Sequence, residues 1–288
     1  KINRSLIIQT ASIGDVVLAT PIIEKLKAFY SQARIDFLVK EGIESLLKTN
    51  PHIHRVLVWT KLEKKYKNLR RLIRAIRDRK YDVVVNVQRF ASSGLITTLS
   101  GAPVKLGFRK NPFSVFFSKR IRHFISADPE KSHHETVRNL MLIDSITDSN
   151  HDHPVRLYPT QHDFAKVSQY KTSKYICIAP TSLWFTKQYP PGKWVDFVNS
   201  LDPSLYVYFL GGPADFDSCE EIILQSQHLN TLNLAGKLGF LESAALMKDA
   251  AMNFVNDSAP QHFASAMNAP TTSVFCSTVP EFGFGPLS

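Results

Sequence analysis

The stretch SLIIQTASIGDVVLATPIIEKLK, residues 5–27, opens on a short apolar run of strand character, passes through a polar turn and continues with apolar residues at helical spacing. It predicts a strand over 5–10 and a helix from about Asp15 to Tyr30. RIDFLV (34–39), RVLVW (55–59), YDVVVNV (81–87) and VKLGF (104–108) repeat the strand half of that unit. Strands apolar along their whole length and separated by helices form a parallel sheet covered on both faces. After a polar, histidine-bearing stretch around 147–163 the alternation restarts. YICIAP (175–180), LYVYFLGG (205–212), LNTLNLAG (229–236), MNFVND (252–257) and TTSVFC (271–276) read as strands, with helices beginning near Pro191, Asp215, Leu241 and Pro260. A chain of 288 residues exceeds the usual size of one core. The reading is therefore an α/β protein of two Rossmann-like domains, 1–160 and 161–288, facing each other across a cleft. In such sheets ligands bind beyond the carboxyl ends of the strands, so the loops there are where chemistry is sought.

The composition, 44% hydrophobic and 21% charged, is that of an ordinary globular protein. No apolar run reaches the roughly 18 residues of a membrane-spanning helix, and the first residues turn polar too early for a signal peptide, so a soluble, cytoplasmic protein is expected. Cys177, Cys219 and Cys276 lie far apart with no disulfide or metal-finger spacing, which points to reduced, buried thiols. His133 with His134, and His151 with His153, lack partners at ligand spacing, so no metal site is expected. No GxSxG occurs. The formal charge of +10 favours polyanions, with nucleotide, nucleic acid and phosphorylated lipid all eligible. Ten basic residues between Lys61 and Lys80 meet only Glu63 and Asp78, while Leu62, Tyr66, Leu69, Ile73 and Ile76 recur at helical spacing. This is an amphipathic helix whose basic face is either solvated or turned to an anionic surface.

TASIGDVVLATP (10–21) has Gly14 as its single glycine, so the three-glycine dinucleotide fingerprint is missing, which argues against an NAD or FAD enzyme of the usual kind. It sets Asp15 at a helix start, either as its cap or as a carboxylate facing a cleft. PTSLWFTKQYPPGKW (180–194) offers Thr181, Ser182, Thr186 and Lys187 just ahead of a helix marked by Pro190 and Pro191. Hydroxyls, an ammonium and free helix amides are what a diphosphate requires. In VNDSAPQHFASAM (255–267), Asp257 or Ser258 can cap the helix, and the same geometry aims amides at an anion. GGPAD (211–215) places Asp215 after two glycines, as a turn residue and cap or as an acceptor for ribose hydroxyls.

Together these loops resemble glycosyltransferase family 9, the ADP-heptose heptosyltransferases. IGDVVLATPIIEKLK (13–27), LWFTKQYPPGKW (183–194) and FVNDSAPQHFASAMNAPTTSVF (254–275) carry the resemblance, with LGGPAD and LNLAGKL between them. It implies a GT-B fold with the active site between the two domains, the first on the acceptor side and the second holding the donor. It implies inverting transfer from ADP-heptose to the Kdo/heptose inner core of lipopolysaccharide. Asp15 matches the general base, beside Gly14 on the acceptor side. Thr181, Ser182, Lys187, Asp215, Asp257, Ser258 and His262 match the donor side. The resemblance implies no cofactor or metal beyond the sugar nucleotide and no nucleic-acid partner, and it admits peripheral contact with the cytoplasmic face of the inner membrane. Two departures stand out. Ala259 replaces a glycine of the family pattern, and the chain ends at FGFGPLS (282–288), where the resemblance implies a continuation, so the expectation is either a truncated second domain or the absence of a last helix returning to the first domain. The rival readings are a nucleotide-sugar epimerase of the same fold and a non-catalytic anion-binding protein.

Overall fold

The computed structural model describes residues 2–60, 65–128 and 130–288. The chain divides into two compact units, Lys1–Ile125 with Ser132–Val155, and Ser126–Lys131 with Arg156–Ser288.

The first unit runs β1 (Arg4–Ile8), α1 (Ile13–Leu18), α2 (Thr20–Phe29), β2 (Arg34–Lys40), β3 (Ile53–Trp59), α3 (Lys65–Asp78), β4 (Val83–Asn86), α4 (Ala91–Leu99), β5 (Val104–Phe108), β6 (Lys119–Ile121) and α5 (Glu135–Leu140). Its strands form one parallel sheet in the order β3-β2-β1-β4-β5-β6. Leu6, Ile7 and Ile8 are all fully buried, as a central strand covered on both faces demands. The single helix expected over 15–30 is two helices. Pro21 in the first turn of α2 has no N–H to give to Val17, and the Thr20 hydroxyl donates to that carbonyl instead, at 2.7 Å. Lys25, fully buried on α2, donates to the Asp148 and Asn150 carbonyls at 2.6 and 2.7 Å and so binds the 144–150 connection to this unit.

The basic helix is α3. Leu69 and Ile76 are buried in the core with Leu72 and Ile73 packed against them. Tyr66, expected on that inner face, is 82% exposed, and Leu72 takes up the stripe in its place. Lys61, Leu62, Glu63 and Lys64 lie outside the described residues.

The second unit runs α6 (Gln161–Val167), β7 (Tyr175–Ala179), α7 (Pro191–Asn199), β8 (Tyr206–Phe209), α8 (Phe216–Gln225), β9 (Thr231–Asn233), α9 (Phe240–Lys248), β10 (Asn253–Asn256), α10 (Ala259–Ala266) and β11 (Thr271–Val274). Its parallel sheet has the order β11-β10-β7-β8-β9. Counted from each unit's own first strand, both sheets place the first strand beside the fourth, with the second and third on the other side. The chain thus builds one doubly wound plan twice, with its switch points at β1/β4 and β7/β10.

Candidate functional site

At the centre of the second sheet, β7 and β10 lie side by side and lead into helices on opposite sides, so the loops that follow them share one rim. Asn256, the last residue of β10 and fully buried, fastens those loops together. Its Oδ1 accepts from the Tyr189 N–H at 3.1 Å, and its Nδ2 donates to the Pro180 carbonyl. Both ends of the 180–189 loop are thereby fixed. Within it, a 3-10 turn at Phe185–Lys187 presents Lys187, whose Nζ donates to Asp257 Oδ2 at 2.6 Å. The Thr278 hydroxyl donates to the same oxygen at 2.7 Å. Asp257 is 6% exposed and the lysine side chain 26%, so the carboxylate is the inner member of the pair.

These contacts settle the capping roles considered for these residues. Asp257 does not cap α10, because its carboxylate is engaged by Lys187 and Thr278. Ser258 holds the N-cap position without a side-chain cap bond, and its hydroxyl turns back towards the Asn256 carbonyl at 3.4 Å. Thr181 and Ser182 are half-buried in the loop after β7, where the Ser182 carbonyl accepts from Gln188 Nε2 at 2.7 Å. His262 is buried one turn into α10. Asp215 follows β8 in a 3-10 turn, and its Oδ2 accepts from the Gly212 N–H at 2.7 Å. A Cβ on Gly211 would lie 2.7 Å from the Asp215 Cβ, so this turn closes only over a bare backbone. A lysine, two loop hydroxyls and a helix start without a side-chain cap thus lie on the loops of one switch point, a set suited to an anion.

The switch point of the first unit carries Gly14 and Asp15. Asp15 is not the cap of α1. Ser12 is, and Asp15, in the third helical position, completes a capping box, with its Oδ2 accepting from the Ser12 N–H at 3.1 Å and the Ser12 hydroxyl at 2.5 Å. Gly14 is buried beside it. The loops after β1 and β4 are joined by Thr10 Oγ1 and Gln88 Oε1 at 2.8 Å. Beyond Gln88 lies a buried network that the sequence reading did not find. Glu135 Oε2 takes His123 Nε2 at 3.0 Å and Arg138 Nε at 2.7 Å, and Arg89 Nη1 reaches the same imidazole. Burial, reinforced by the two guanidinium groups, lowers the His123 pKa against the pull of Glu135. Burial pushes Glu135 up, but its partners outweigh it and hold the carboxyl below its usual range. Neither network has a local signature, since Thr278 lies beyond the last strand and His123, Glu135 and Arg89 come from three separate segments.

The remaining candidates have structural partners. His134 caps α5, and His151 Nε2 bonds Asp144 Oδ1 at 2.9 Å. Among the described residues no group of three or more His, Cys, Asp or Glu is placed to hold a metal ion. Burial raises the thiol of Cys177 and pushes that of Cys219 up to about 12, whereas Cys276 is exposed, contrary to the expectation of three buried thiols. No helix among the described residues is long and apolar enough to cross a membrane.

The family model for glycosyltransferase family 9 (heptosyltransferase) matches residues 69–288. The chain is 29% identical over 282 residues to a lipopolysaccharide heptosyltransferase 3 of Escherichia coli, covering 92% of this chain and 81% of the relative. Among solved structures, the glycosyl transferase family 9 protein of Veillonella parvula superposes with a TM-score of 0.85 at 20% identity, over 99% of this chain and 83% of that one. The ADP-heptose lipopolysaccharide heptosyltransferase II of Escherichia coli gives 0.83 at 22% identity, over 99% and 88%. The fold is GT-B.

Proposed function

The chain belongs to glycosyltransferase family 9 and is a glycosyltransferase, and from that premise we propose that it transfers heptose from ADP-heptose to the inner core of lipopolysaccharide with inversion. The substrate classes are those in the names of the Escherichia coli relatives. In this reading the second unit holds the donor. Lys187, the Thr181 and Ser182 hydroxyls and the first turn of α10 take the diphosphate, Asp215 takes the ribose, and Asp257, Ser258 and His262 complete the donor side. The acceptor belongs to the first unit. Asp15 removes the proton of the acceptor hydroxyl as its oxygen bonds to the anomeric carbon, and the bond from that carbon to the diphosphate breaks on the opposite face. Charge developing on ADP is stabilised by the ammonium and helix amides.

The observation that carries the reading is the Lys187–Asp257 contact at the β7/β10 switch point, which holds a cation in place before any anion arrives. Lys187→Ala is expected to weaken ADP binding about tenfold to a hundredfold, the worth of a charge-assisted contact of roughly 1.5–3 kcal/mol. Titration calorimetry with ADP is the test, and unchanged affinity would remove Lys187 from the site.

The exposed basic face of α3 belongs to the same proposal, as a device that steers the enzyme to an anionic membrane surface. Reversing Lys67, Arg71 and Arg74 to Glu should weaken association with anionic liposomes and flatten its salt dependence while ADP still binds. Equal liposome binding would return this face to simple solvation.

A further inference from the structure

The first sheet has a second rim, at the amino ends of its strands, opposite the one that carries Asp15. Four arginines meet there. Arg4 opens β1 and Arg34 opens β2, and the two are direct partners in the parallel register. Arg55 lies near the start of β3, and Arg79 follows the end of α3. Together they line a cavity of about 120 Å³. Like charges set side by side repel, and an anion between them turns that repulsion into attraction.

The cavity is built on a buried polar cluster. Asp36, 4% exposed, stands in the otherwise apolar middle of β2, two residues after Arg34. Its Oδ2 accepts from the Tyr81 hydroxyl at 2.5 Å, and its Oδ1 lies 3.1 Å from His54 Nδ1. A bulge brings His54 there. Ile35 pairs with Ile53 and Asp36 with Arg55, so His54 is an extra residue in β3, and both His54 and Arg55 line the cavity. Bulges re-aim side chains and are rare between parallel strands. On the helix side, Lys80 takes a left-handed conformation, φ 51°, past the end of α3, and its neighbours Arg79 and Tyr81 both reach the cavity. Arg79 Nη1 donates to the Ala75 carbonyl and Arg4 Nη1 to the Arg79 carbonyl, both at 2.8 Å, which fixes two of the four guanidinium groups.

The charges on this rim do not balance. Against four guanidinium groups stand Asp36 and Asp82, the latter accepting the Asn3 and Arg4 N–H groups at 2.7 and 2.9 Å. Among the described residues the side chains of Arg34 and Arg55 have neither hydrogen bond nor ion pair. Arg79 Nε is buried without a hydrogen-bond partner, 3.9 Å from Asp36 Oδ2. At roughly 30 Å³ per water, the cavity has room for about four waters, which suits one phosphoryl group and is too small for a nucleoside. A single carboxylate would leave most of the guanidinium forks unmatched, whereas a tetrahedral dianion presents several oxygens to them. We propose that this cavity binds a phosphoryl group, carried by inorganic phosphate or by a soluble phosphate monoester, on Arg34, Arg55 and Arg79, with Arg4 at its edge. It lies at the other end of the strands from the switch-point loops and does not depend on the transfer reaction.

The test is titration calorimetry with inorganic phosphate and with glycerol 3-phosphate, at an ionic strength held constant with sodium chloride. It is run on the wild type and on Lys187→Ala, which removes the cation of the second unit's loops. Lys187→Ala should still bind phosphate. Adding Arg34→Gln and Arg55→Gln to it should weaken that binding at least about tenfold, the loss of charge-assisted contacts, with the melting temperature unchanged because both side chains are exposed. A second pair, Arg34→Lys with Arg55→Lys, keeps the charge without the forks and should bind severalfold more weakly than the arginines. Glycerol 3-phosphate bound as well as phosphate supports a monoester as the ligand, and phosphate bound alone supports the free ion. The proposal is overturned if neither probe binds, or if the glutamine pair binds as tightly as its parent. It is equally overturned if the lysine pair loses nothing, which would make the rim a diffuse basic field, or if Lys187→Ala abolishes all binding, which would leave the second unit's loops as the anion site.

Discussion

Asp15 and Asp163 sit in the same local geometry. Each is the third residue of its helix and accepts both the backbone N–H and the hydroxyl of its N-cap residue, Ser12 in one case and Thr160 in the other. Such a box is worth about 1 kcal/mol to a helix start and says nothing of catalysis. Position separates the two, since Asp15 follows the strand at a switch point and Asp163 precedes the first strand of its sheet. Asn keeps the size and capping ability of Asp but takes no proton. Asp15→Asn should leave the melting temperature and donor binding nearly unchanged while single-turnover transfer falls by roughly 10² to 10⁴. Asp163→Asn, the control, should transfer at the wild-type rate. Transfer by Asp15→Asn within a few fold of wild type would reduce Asp15 to its helix role. The capping box was legible in Ser12-Ile13-Gly14-Asp15, although the sequence reading weighed Asp15, and not Ser12, as a cap. The pairing of Lys187 with Asp257 was not legible, because the two are far apart in sequence and only the β7/β10 adjacency brings them together.

At the scale of elements, the strands were readable because central parallel strands bury both faces and so are apolar at successive positions, as Val83, Val84 and Val85 are. The elements that escaped are those whose residues do not announce them. β6 is three residues of an exposed edge, Lys-Arg-Ile, and α4 is ASSGLITTL, built of serine, threonine and glycine, which are weak helix formers. Tertiary contacts hold α4 in place, with Ile96 fully buried and the Thr97 hydroxyl on the Ser93 carbonyl at 2.8 Å. Its glycine is required by Asn111 and not by the helix, which leads to a prediction opposite to that of helix propensity. Gly94→Ala should favour an isolated helix, yet here the added carbon would fall 2.0 Å from Asn111 Oδ1. Overpacking of this kind costs about 1–3 kcal/mol, so the melting temperature should drop by about 2–8 °C. A variant melting at or above wild type would show that Asn111 yields without cost.

Over the whole molecule, the same strand order is wound twice, each time around its own core, with Leu6, Ile8, Leu38 and Val84 in the first unit and Ile178, Trp194, Val207 and Phe209 in the second. Each switch strand ends in a fully buried asparagine, Asn86 in β4 and Asn256 in β10, whose amide oxygen accepts a loop N–H. That repetition made two Rossmann-like domains legible from the alternation of patterns. It did not make the substrate legible, since one fold hosts many reactions and only the loops distinguish them. Transfer to an acceptor defines the proposed reaction, so the direct measurement is ADP release from ADP-heptose by the wild-type protein, with and without a Kdo-containing inner-core acceptor. ADP should appear only when acceptor is present, matched by an equal amount of glycosylated acceptor. Donor consumed at the same rate without acceptor, or not consumed with both substrates supplied, would contradict the proposed reaction.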